Sequence, residues 1–78
     1  MPTVLRLRRF RFFFFSNEGH EPAHIHVESG DCYAKFWLDS VRLGKSVGYN
    51  ARELNEIRKL VIGNVEILKE NWHEHFGS

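Results

Sequence analysis

Cysteine is nearly absent from this chain. The single residue, Cys32, cannot form an internal disulfide and rules out a Cys-rich zinc knuckle. Proline and glycine are sparse, at two and six of 78 residues, which excludes collagen-like and mucin-like chains. No apolar run is longer than the four phenylalanines at 12–15, far short of the roughly 20 residues a membrane-spanning helix needs. The first residues carry charge but no apolar core of a signal peptide, so a soluble, cytoplasmic protein is expected. No acidic residue occurs before Glu18. No phosphate loop, dinucleotide fingerprint or nucleophile elbow is present. Gly44-Lys45-Ser46 resembles the end of a Walker A motif, but Asp39 stands where its first glycine belongs.

What is present is the composition of a small globular domain, 42% hydrophobic and 27% charged, with a net charge of +1 that selects no partner. Residues 1–78 are read as one domain. The first half has strand character. Segments 3–8, 10–16, 24–28 and 32–39 are rich in residues that suit a pleated surface, and 41–47 is either a short edge strand or irregular, weakened by Gly44 and Gly48. The second half reads as one helix over 51–76. Asn50 followed by Glu53 has the spacing of a capping box, and Leu54, Ile57, Val61, Val65, Leu68, Trp72 and Phe76 recur at steps of three and four. Leu60 and Ile67 widen that stripe, Gly77 supplies a stop, and Gly63 with the off-stripe Ile62 leaves a kink or an interface open. The expected fold is α+β: a small antiparallel sheet of about four strands packed on one long C-terminal helix.

Strand alternation sorts the side chains. Ile25, Val27, Ala34, Phe36 and Leu38 fall on one face, the face for the helix. His24, His26, Tyr33, Lys35 and Trp37 fall on the other. A turn at Ser29-Gly30 pairs Val27 with Cys32; a turn at Gly30-Asp31 pairs Val27 with Ala34. Both keep the same residues together. A two-residue turn at Arg8-Arg9 puts Leu5, Leu7, Phe10, Phe12 and Phe14 on one face and sets Arg6 opposite Arg11, an unfavourable like-charge pair that a bulge or an anionic partner relieves. The helix-free face is too polar for a core and too aromatic for idle surface.

Three chemistries fit that face. His24 and His26 at i, i+2 of a strand can serve as acid and base, with Lys35 holding a phosphate, as a metal-independent ribonuclease requires. The same pair, with Glu28 or His20, can ligate a metal. Arg6, Arg8, Arg9 and Arg11 with Phe13, Tyr33 and Trp37 combine phosphate-binding cations with stacking platforms, a pattern for RNA or a partner protein. Against these stand a plainer reading, in which the histidines bond backbone or water and the arginines form a solvated hairpin beside an oligomer interface, and a non-enzymatic interaction domain that pairs with a second copy through the helix-free face itself.

The chain resembles the small proteins grouped as domain of unknown function family 4160. The resemblance rests on MPTVLR at 1–6, FFFFSNEG at 12–19, EPAHIHV at 21–27 and AKFWLD at 34–39, with Glu53, Leu54, Trp72 and Phe76 in the closing helix. That family usually has glycine near positions 8 and 9, where this chain has arginines, and often proline at Ala23. The resemblance implies a two-protein, toxin–antitoxin-like setting whose partner is a second small protein of domain of unknown function family 2442. It assigns no catalytic residue and no cofactor.

Overall fold

The computed structural model describes residues 3–15 and 19–77. Five strands precede two helices: β1 (Thr3–Leu7), β2 (Phe10–Phe13), β3 (His24–Ser29), β4 (Cys32–Trp37), β5 (Arg42–Val47), α1 (Ala51–Gly63) and α2 (Val65–Phe76). The strands form one antiparallel sheet in the order β1-β2-β3-β4-β5. The α+β class is as the sequence predicts; the sheet has one strand more and the helix is broken.

The fifth strand forms because its glycine is used. Phe36 pairs with Leu43 and Lys35 with Lys45, so Gly44 is the extra residue of a β-bulge. A Cβ at Gly44 would stand 3.0 Å from the Trp37 indole nitrogen, so the ring lies against bare backbone. The glycine that weakens the strand pattern is the residue that lets the strand pack.

The helix breaks at Asn64, which takes φ −125° and ψ 16°. Its side-chain amide donates to the Leu60 carbonyl at 2.8 Å, competing with the helical ladder, and its own N–H bonds back to Val61. The apolar stripe survives the break, with Ile57, Val61, Leu68 and Trp72 all buried. Ile67 does not widen it: that residue is 47% exposed, and Ile62 is 53% exposed. The caps are as expected. Glu53 N–H donates to Asn50 Oδ1 at 2.8 Å, Asn50 N–H donates to Glu53 Oε1 at 2.9 Å, and Gly77 closes α2 in the left-handed conformation.

The β3–β4 hairpin takes the second of the two possible registers. Ser29 pairs with Cys32 across Gly30-Asp31, Val27 with Ala34 and His26 with Lys35. Phe10, Phe12, Ile25, Val27, Ala34, Phe36 and Leu38 then meet Ile57, Val61 and Leu68 in one core. Each of the larger side chains contributes about 1.5–3 kcal/mol by leaving water. In β1–β2 a bulge at Val4 sends that side chain to the core instead of the arginine face. The hairpin turn holds Arg8 at φ +57°, a conformation glycine adopts more easily.

Candidate functional site

Two neighbouring regions gather the candidate residues. The first is a concavity of about 570 Å³ at the β1–β2 hairpin, lined by Thr3, Arg6, Arg9, Arg11, Glu28 and Ser29. Arg6 and Arg11 are direct cross-strand partners, and the bulge lies at Val4, too far along to separate them. Glu28, paired with Arg11 across β2–β3, eases the repulsion instead. Its carboxylate accepts from Arg11 Nη1 at 2.6 Å, and Thr3 Oγ1 accepts from Arg11 Nε at 2.9 Å. The Arg11 guanidinium also lies 4.5 Å from the centre of the Phe13 ring. Arg6 is exposed and makes no hydrogen bond or ion pair among the described residues.

The four arginines therefore divide. Arg8 donates to Glu56 at 2.7 Å and Arg9 donates to the same carboxylate at 3.2 Å, tying the hairpin tip to the first turns of α1. The Arg8 hydrogen bond holds the Glu56 carboxyl below the ordinary carboxylate range, and the Arg9 charge adds to the effect. Arg6 and Arg11 are left to define the open surface, with Arg9 at its rim. Behind Ser29, the Tyr49 hydroxyl meets Ser29 Oγ at 2.8 Å, and burial pushes the Tyr49 phenol up. Tyr49 escapes the sequence reasoning because it stands in neither a strand pattern nor the helix stripe.

The second region is the histidine side of β3 and β4. The strands bring together the residues that alternation predicts. The His24 and His26 rings are 5.0 Å apart, His26 stacks against Phe13 at 5.3 Å and Tyr33 at 5.6 Å, and His24 meets the edge of Trp37. His26 Nδ1 lies 2.7 Å from the Tyr33 hydroxyl, and the Pro22 carbonyl accepts from His24 Nδ1 at 2.9 Å. Lys35 sits 4.3 Å above the Trp37 ring and donates to Glu21 at 2.9 Å.

This face is not open, and at one end it is not helix-free. His24 is fully buried and His26 is 3% exposed. Phe13, placed among the binding residues by sequence, is buried as well. Trp72 of α2 lies 4.7 Å from His24 and 5.6 Å from Phe14, so the second helix closes the cluster where β3 begins. His20 stands apart, largely exposed, 3.9 Å from Glu21. Glu28 is engaged with Arg11. Among the described residues no three of His, Cys, Asp and Glu gather in a way that could hold a metal ion.

The counterions were not legible from the chain. Glu28 owes its role to the pairing of β2 with β3, which a long connection leaves unspecified in sequence, Glu21 owes its role to the segment before β3 reaching Lys35 on β4, and Glu56 owes its role to helix docking. The two regions touch through a run of stacked groups, from Arg11 to Phe13 to His26 to Tyr33.

A family model described as Domain of unknown function (DUF4160) matches residues 10–73. No curated protein and no solved structure matches the chain. No helix among the described residues is long and apolar enough to cross a membrane.

Proposed function

The chain belongs to the DUF4160 family, and from that premise we propose that it is the partner-binding component of a two-protein, toxin–antitoxin-like module, engaging an acidic surface of the second protein through the Arg6–Arg11 concavity. One observation carries this reading: two arginines stand directly opposite on a concave surface, and one of them has no counter-charge among the described residues. Folding gains nothing from that arrangement, since like charges opposite each other destabilise a strand pair. An incoming carboxylate, held by the planar fork of a guanidinium, removes the repulsion and adds charge-assisted hydrogen bonds.

The aromatic groups favour a protein over single-stranded RNA as the occupant. Base stacking needs open rings. Phe13 is buried under Arg11, Tyr33 is stacked on His26, and Trp37 has Lys35 over one face, leaving open the side that borders Pro22 and Ala23. The test is calorimetric titration with a purified member of domain of unknown function family 2442, at low and high salt. Binding should weaken with salt and be lost in Arg6→Glu with the fold intact. Equal affinity in Arg6→Glu would move the interface elsewhere.

A second reading retains RNA cleavage by His24, His26 and Lys35, supported by their gathering in one cluster. Both imidazoles are buried, so that chemistry requires the cover of Trp72, Phe13 and Phe15 to open. Chelator-resistant cleavage of end-labelled RNA, abolished by His26→Ala in a folded protein, is its expected signature; absence of cleavage with and without partner disposes of it.

A further inference from the structure

A second concavity, of about 310 Å³, lies at the opposite end of the sheet strands from the arginines. It is lined by Pro22, Ala23, Trp37, Asp39, Ser40 and Arg42. The segment entering β3 and the end of β4 meet there, joined by the Leu38 N–H donating to the Ala23 carbonyl at 3.0 Å. The volume is at the small end of ligand pockets.

Its chemistry is mixed in a particular way. Pro22, Ala23 and the indole form an apolar wall. Asp39 and Arg42 bring opposite charges from a single turn, yet neither makes an ion pair or side-chain hydrogen bond, with the other or with any described residue. Two opposite charges three residues apart commonly neutralise each other; here the turn holds them separate beside an apolar wall.

The turn that does this is strained. Val41, between Ser40 and Arg42, takes φ +45°, a genuine outlier for a β-branched residue. Its carbonyl is held by Arg58 Nη1 at 2.7 Å, from α1. Strain of this kind costs on the order of 1–3 kcal/mol and persists where surrounding contacts impose it, commonly at ligand sites. The wall is fixed too: Trp37 lies against Gly44 on one side with the Lys35 ammonium above it, and the Pro22 carbonyl is held by His24.

We propose that this pocket binds a small zwitterion, an α-amino acid with an apolar side chain. Asp39 takes the ammonium, Arg42 takes the carboxylate, and Pro22 and Trp37 pack on the side chain. Adjacent ammonium and carboxylate groups distinguish a free amino acid from an internal peptide segment, which offers neither.

The experiment is an NMR titration of the full 15N-labelled chain with L-phenylalanine and L-leucine, following the Trp37 indole N–H, up to about 20 mM, the range expected of so small a ligand. N-acetyl-L-phenylalanine and L-phenylalaninamide each remove one charge. The expected result is a saturable shift with a free amino acid, weakened about tenfold or more by either blocked derivative. Asp39→Asn should erase the preference for phenylalanine over its N-acetyl form, and Arg42→Gln the preference over the amide. Both residues are exposed, and the same spectra report that the variants fold. Absence of a saturable shift with either amino acid overturns the proposal. So does equal binding of the free and blocked forms, which would describe an apolar cleft without charge recognition.

Discussion

The arginine concavity and the histidine cluster use the same kinds of side chain and end in opposite states. In the cluster every cation and ring has been given an internal neighbour: Lys35 has Glu21 and Trp37, His26 has Tyr33 and Phe13, and His24 has Pro22 and Trp72. In the concavity Arg11 is satisfied and Arg6, its cross-strand partner, is not. The comparison separates residues that hold the fold from residues the fold leaves available. A basic or aromatic residue on a sheet face is not a binding residue by type; its internal partners decide.

The largest effect that tests this contrast is expected at Trp72. It joins α2 to both Phe14 and His24, so Trp72→Ala should destabilise the protein by about 3–5 kcal/mol. Urea unfolding followed by circular dichroism measures it, and a loss below about 1 kcal/mol would mean that the cluster is not sealed by α2. His26→Ala comes next, at about 2–3 kcal/mol, because it removes a buried ring between Phe13 and Tyr33 and the hydrogen bond to the Tyr33 hydroxyl. A near-neutral result there would return His26 to the list of residues kept for chemistry.

Arg6→Ala should behave in the opposite sense. Relieving the like-charge pair should leave stability unchanged or raise it by up to about 0.5 kcal/mol, while partner affinity falls. A destabilised Arg6→Ala would show that the concavity is structural after all. The smallest effect concerns acid. Glu56 titrates below its ordinary value in the folded state, so its contribution is present above the unfolded carboxylate range and is lost as pH falls through the folded value. Arg8→Ala should bring the Glu56 titration, followed by carboxyl NMR shifts, back toward the ordinary value and flatten this part of the acid profile.

Much of the frame was legible in the chain. The capping box at Asn50 and Glu53 and the two faces of β3 and β4 follow from local rules, because a helix cap and strand alternation depend on residues within a few positions of each other. The register itself was open between a Ser29-Gly30 and a Gly30-Asp31 turn, which give the same faces, and the structure takes the second. The opposed Arg6 and Arg11 follow in the same way from a two-residue turn. The break at Asn64 was not legible in the periodicity, which stays in phase across it. It depends on one side chain competing for the Leu60 carbonyl. The burial of His24 and His26 was the larger miss. Alternation places residues on a face but does not say what covers that face, and here the cover includes Trp72, nearly 50 residues along the chain. The arginines of the concavity could be named from sequence; Thr3 and Ser29 beside them could not, nor could which arginines were already engaged, since Glu28 and Glu56 reach them only through tertiary pairing.

The strand order carries a consequence for how quickly the molecule assembles. Each strand is hydrogen-bonded to its immediate neighbours in sequence, so the whole sheet can zip from adjacent hairpins without first closing a large loop. The helices are different. Joining Arg8 to Glu56 closes a span of 48 residues, and seating Trp72 on His24 closes a similar one. Assembly of the sheet is thus separated from its covering, and mutations at Trp72 should chiefly accelerate unfolding while leaving the folding rate nearly unchanged, a division that a denaturant-dependent kinetic series reads directly.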